Sequence, residues 1–176
     1  MRIPNLEIRK CFKNDIQKRF DDVIKKDNLA LNIANALLEG NVDFVQDKLG
    51  PLLRSFVSIR DTATRAPHEN YYHGFLNGIF TNCKDNLGEY HSNFESGDGY
   101  PDILFKDIDC RKVAIIEIKS ASIGSDIETL SEKAISQIID MNYAEPLMSN
   151  KTVKHIHGYG IAFAGKSCFI SVKKIK

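Results

Sequence analysis

The sequence predicts a mixed α/β, or α+β, layer structure, and three observations predict it. Apolar residues recur at helical spacing through the first third of the chain. From about position 89 the period becomes that of extended chain, giving three short strands with turn residues between them. An amphipathic helical stretch then separates these strands from two more near the C-terminus.

The chain has 176 residues, which suits one domain or one domain with a small appendage. A 43% hydrophobic and 27% charged composition is that of an ordinary globular protein and excludes only the extreme classes. The formal net charge of +1 shows neither the basic excess that favours nucleic acid nor the acidic excess that opposes it. Lysines 151, 154, 166, 173, 174 and 176 crowd the C-terminal end around His155 and His157, and a solvated surface is the plainer reading of them. No apolar run is long enough to cross a bilayer, and "MRIPNLEIRK" lacks the apolar core of a secretory signal, so a cytoplasmic protein is expected. Cys11, Cys83, Cys110 and Cys168 are far apart and form no CxxC pair, which points to reduced thiols rather than zinc or disulfides.

The elements follow in order. "NLEIRKCFKNDIQKRF" sets Ile8, Phe12, Ile16 and Phe20 four apart on a charged helix. "NLALNIANALLEG" carries Leu29, Ile33, Ala36 and Leu37 on one face and stops at Gly40. A third helix over about 42–59 carries Phe44, Val45, Leu49, Leu52, Leu53 and Phe56, with Gly50-Pro51 expected to break or kink it. "RDTATRAPHEN" reads as a linker. The next helix turns Tyr72, Phe75, Leu76, Ile79 and Cys83 inward.

"EYHSNFE", the turn "SGDG", "YPDILFKD" and "VAIIEIKS" then read as an antiparallel meander. "DIETLSEKAISQIIDMNYA" is an amphipathic helix through Ile127, Leu130, Ala134, Ile135 and Ile138, capped by Ser125 or Asp126 and ended by Asn142. "GYGIAFAG" and "SCFISVKK" form a last pair of strands around Gly165.

Side chains alternate across a strand, so Val113, Ile115, Glu117 and Lys119 share one face while Ala114, Ile116 and Ile118 share the other. The first face turns charged as the strand ends. Buried charges require partners or a metal, so Glu117 and Lys119 either reach water as a weak surface ion pair or form a site. Asp102 opens the preceding strand, and in a hairpin that start lies beside the end of the next strand. Two carboxylates and one ammonium thus converge, a set suited to a hard divalent cation with a cationic neighbour.

The run "YPDILFKDIDCRKVAIIEIKS" resembles the PD-(D/E)XK nuclease superfamily, with Pro101-Asp102 as the PD element and Glu117-Ile118-Lys119 as the ExK element. "ENYYHGFLNGIF", "SNFESGDG", "ISQIIDMNYA" and "GYGIAFAGK" extend the likeness to the nuclease-like domain found C-terminal to AAA-ATPase-like domains, and "RIPNLEIRKCF" with the helices after it resembles the connecting segment. The resemblance implies a restriction-endonuclease-like core, a central mixed sheet flanked by helices, over residues 63–176, with a helical subdomain or linker over 1–62. It implies Asp102 and Glu117 as ligands of Mg2+, or of Mn2+ in its place. Lys119 is then the catalytic lysine, Glu69 an added acidic metal ligand, and Gln137 a catalytic-site residue, with Tyr143 facing the same cleft.

Tyr100 stands where an arginine is expected in the turn, and Pro101 where a tyrosine is common. Plainer readings stand beside these roles. Glu69 suits the first turn of a helix, Gln137 a helix boundary, His73 close packing, and Glu95 a turn.

The leading function is a Mg2+-dependent nuclease acting on nucleic acid, with DNA favoured, and the resemblance implies an AAA-ATPase-like domain in the full-length protein. The alternative is an inactive nuclease-like module that binds nucleic acid or a protein partner.

Overall fold

The computed structural model describes residues 18–57 and 68–176. The early stripe residues Ile8, Phe12 and Ile16 and most of the linker lie outside the described residues; Phe20 is buried on α1 (18–25). There follow α2 (Leu29–Glu39), α3 (Val42–Phe56), α4 (His68–Phe80), β1 (Glu89–Ser92), β2 (Ile103–Lys106), β3 (Lys112–Ser120), α5 (Ile127–Asp140), α6 (Glu145–Met148), β4 (His155–Ala164) and β5 (Ser167–Lys174). The short α6 has no counterpart in the sequence reading, because four residues are too few to show a period.

One five-stranded sheet runs in the order β1-β2-β3-β4-β5. The first three strands form the expected antiparallel meander, with Ile103 opposite Ile116 and Leu104 opposite Ile115. β4 lies parallel to β3, with Glu117 opposite Gly160, and β5 returns antiparallel. A parallel pair needs a long crossover, and the chain from Ala121 to Lys154, with α5 and α6, supplies it. This is a mixed sheet flanked by helices, consistent with a restriction-endonuclease-like core.

The alternation along β3 sorts the two layers. Ala114, Ile116 and Ile118 join Tyr159, Ile161 and Phe163 of β4 in a large core with Ile33, Leu37, Leu49, Leu53 and Leu76 of α2–α4. Val113 and Ile115 belong to a smaller core with Leu104, Ile138, Tyr143 and Ile156. Full burial of one such aliphatic side chain stabilises by roughly 1.5–3 kcal/mol, so the larger core dominates.

Helix α3 corrects one expectation: it continues through Pro51 without a break. The carbonyl left without a proline N–H belongs to exposed Asp47, where water can satisfy it. It also stops at Phe56, with Val57 extended. β1 ends at Ser92 because Asn93 takes a left-handed φ of 51°, and Asp102 precedes β2 rather than opening it.

Asp126 caps α5 by accepting from Thr129 N, and Asn142, at φ 51°, lies just past its end. The buried stripe of α5 is Ser131, Ala134 and Ile138, while Ile127, Leu130 and Ile135 are half-buried. Ser131 belongs inside because its hydroxyl bonds the Glu128 carbonyl and the Ser171 hydroxyl. A side chain at Gly160 would overlap the Ser131 carbonyl oxygen, so this glycine sets how closely α5 lies on the sheet.

Cys83, Cys110 and Cys168 are free thiols, as expected; Cys11 is outside the described residues. Among the described residues no helix is long and apolar enough to cross a membrane.

Candidate active site

The end of β3 and the residue before β2 build the site. Extending the pairing of Ile103 with Ile116 by one step brings Asp102 beside Glu117. The Ile118 N–H donates to Asp102 Oδ2 at 2.7 Å, fixing that carboxylate against the strand. Glu117 is only 4% exposed. Its Oε1 accepts from Lys119 Nζ at 3.0 Å, while its Oε2 is buried with no hydrogen-bond partner. Lys119 keeps partial contact with solvent.

Burial, reinforced by the negative charge of Asp102, pushes the Glu117 carboxyl up to about 7 against the pull of Lys119. Burial also raises the Asp102 carboxyl, opposed by the Ile118 N–H and by the electrostatic influence of His73 and Lys119. For Lys119, burial disfavours the charge but is outweighed by the hydrogen bond to Glu117 and the attraction of Glu117, Glu69 and Asp102; its pKa lies above the ordinary lysine range. The ammonium is therefore a stable cation at neutral pH.

The other candidates divide. Glu69, in the first turn of α4, acts electrostatically on Asp102, Glu117 and Lys119. Gln137 donates from Nε2 to the Tyr143 hydroxyl at 3.3 Å, and Tyr143 feels the charges of Glu117, Asp102 and Lys119. These two thus form part of the wall beside the carboxylates. Glu95 is exposed on the turn. Among the described residues no group of three or more His, Cys, Asp or Glu side chains is placed to hold a metal ion.

His73 does more than pack. Its Nε2 lies 3.1 Å from the Asp102 carbonyl oxygen and 3.0 Å from Ser92 Oγ. Asn77 joins the same group through Ser92, and its Oδ1 accepts from the Tyr90 hydroxyl. This network ties α4 and β1 to the residue that carries the first carboxylate. His73 and Asn77 are four apart on one helix face, a spacing visible in the sequence, but their partners Ser92 and Tyr90 are not inferable from it.

A sequence model of the PD-(D/E)XK nuclease superfamily matches residues 67–173, more than half of the chain. The chain belongs to that superfamily. The matched stretch runs from the start of α4 into β5 and includes every site residue named above. No curated protein matches the chain. Within the matched stretch Asp102, Glu117 and Lys119 converge at one end of the sheet.

Proposed function

We propose that this protein is a metal-dependent nuclease that hydrolyses phosphodiester bonds, with DNA as its substrate. The observation that carries the reading is the meeting of Asp102, Glu117 and Lys119, with one Glu117 oxygen buried and unpartnered. A buried carboxylate oxygen without a donor is costly unless something positive comes to it. Mg2+, which binds through one or two carboxylates and otherwise keeps its waters, suits the Asp102 and Glu117 pair, as Mn2+ does. Glu69 would add negative charge to the same site. When bound, the ion supplies Lewis-acid polarisation of the scissile phosphate.

The chain's own groups do the rest. Asp102 and Glu117 hold the acidic centre in place through the backbone of β3. Lys119, kept protonated by its acidic neighbours, stabilises charge developing on the phosphate. Gln137 and Tyr143 set the wall that orients the substrate.

The test is cleavage of varied DNA substrates with Mg2+ or Mn2+ by wild type, Asp102→Ala and Lys119→Ala. Loss of activity by roughly 100-fold or more in each variant is expected. Equal cleavage by all three would reject the site, and salt-sensitive binding without turnover would leave a nucleic-acid-binding module instead. An AAA-ATPase-like partner domain belongs to the same proposal and rests on the resemblance of residues 2–12 and the following helices. It falls if the protein isolated from its source carries no nucleotide-hydrolysing partner.

A further inference from the structure

Phe94 and Tyr100 are the only exposed phenylalanine and tyrosine side chains among the described residues, at 50% and 60% exposure. Both lie on the turn between β1 and β2, and Tyr100 is two positions from Asp102. Exposed aromatics scattered singly need no explanation, but two on one turn beside a phosphodiester site do.

The backbone of the turn that presents them is latched. Asn93 N–H donates to the Asp102 carbonyl at 3.0 Å, and Ser96 N–H to the Gly99 carbonyl at 2.8 Å. Buried Ser96 bonds the Tyr143 carbonyl through its hydroxyl, Asp98 N–H bonds the Met141 carbonyl, and Asn142 Nδ2 bonds Asp98 Oδ2. Gly99 sits against the Tyr143 ring, which brings the turn to the wall of the site. Phe94 is itself held, one face stacked on the His91 ring at 4.3 Å and 25°. An aromatic fixed on one side and open on the other is a ready surface for another flat ring.

We propose that Phe94 and Tyr100 form a stacking platform for unpaired bases, so that the substrate strand is single-stranded where it crosses the site. This deepens the nuclease reading and rests on it. Bases in a duplex are already stacked and hidden, whereas unpaired bases gain from aromatic faces without sequence preference. Lys119 and the proposed ion would take the phosphate while the turn holds its neighbouring bases.

The experiment measures binding of fluorescent oligothymidylate and of a blunt duplex, in EDTA, so that no turnover is required. Phe94→Ala and Tyr100→Ala should each weaken single-strand binding by roughly 5- to 100-fold and leave duplex binding unchanged. The chain contains no tryptophan, so Tyr100→Trp installs a single reporter. It should retain binding, and its fluorescence should be quenched by the single strand but not by the duplex. Single-strand binding that survives both alanine changes, an unquenched tryptophan in a bound complex, or no oligonucleotide binding at all overturns the platform. Circular dichroism of each variant identifies any that fails to fold, and the tryptophan variant then decides. Quenching without cleavage would remove the nuclease reading and keep the platform; cleavage with undiminished binding in the alanine variants would do the reverse.

Discussion

The Ile118 N–H holds Asp102 Oδ2 at 2.7 Å, so the strand that carries Glu117 and Lys119 also positions the carboxylate contributed by its neighbour. Both acids are thereby fixed to one rigid backbone. Their closeness in a dry setting has a cost visible in the raised Glu117 carboxyl, and that cost leads to the first two predictions.

Glu117 titrates near 4.5 in an unfolded chain and at about 7 in the folded protein. Between these values the folded state keeps a proton that the unfolded state has released, so stability falls as pH rises from about 4.5 to about 7 and then levels off. The loss is on the order of 3 kcal/mol. Without metal, Glu117→Gln should lack this slope and be more stable than wild type at pH 8, the two converging near pH 4.5. Urea denaturation across this range checks it; a variant keeping the wild-type slope would place the titration on another group.

Lys119 is the charge partner of Glu117 at 3.0 Å. Removing one member of a buried pair leaves the other uncompensated, which costs up to about 3 kcal/mol. Lys119→Met should therefore destabilise the metal-free protein at pH 8, where Glu117 is ionised, and much less at pH 5, where it is protonated. An equal loss at both values would show that the lysine contributes through its aliphatic stem alone.

Gly160 faces the backbone of α5 so closely that a methyl group would overlap the Ser131 carbonyl oxygen and crowd Ala134. Gly160→Ala should cost about 3 kcal/mol, because neither the central strand nor the helix backbone can yield cheaply. Gly74, in the exposed face of α4, meets nothing within 4 Å. Gly74→Ala should be neutral or stabilising by up to about 1 kcal/mol. Thermal or urea unfolding of the pair checks the contrast.

Gly97 has a φ of 63° and lies against the Asn142 carbonyl. Gly97→Ala combines backbone strain with overlap and should cost about 1–3 kcal/mol. The damage should be local. Hydrogen exchange of the Ser96 and Asp98 amides, which donate to Gly99 and Met141, should accelerate more than exchange in β3.

The alternation in "VAIIEIKS" already assigned Glu117 and Lys119 to one face and the isoleucines at 116 and 118 to the other, because a strand has a strict period of two. The helical stripes of α2, α3 and α4 and the meander were legible for the same reason: nearest neighbours alone determine which residues share a side. The proximity of Asp102 to Glu117 also followed, since a short connection constrains a hairpin.

The tertiary structure alone decided the rest. The parallel pairing of β4 with β3, the glycine that admits α5, and the inward place of Ser131 depend on groups dozens of residues apart that carry no shared local period. Pro51 remained helical because the carbonyl it leaves unpaired belongs to exposed Asp47, where water can satisfy it, a matter of surroundings rather than propensity. The raised pKa of Glu117 belongs here too: a glutamate's residue type fixes its chemistry, but only packing removes the water that would have kept it ordinary.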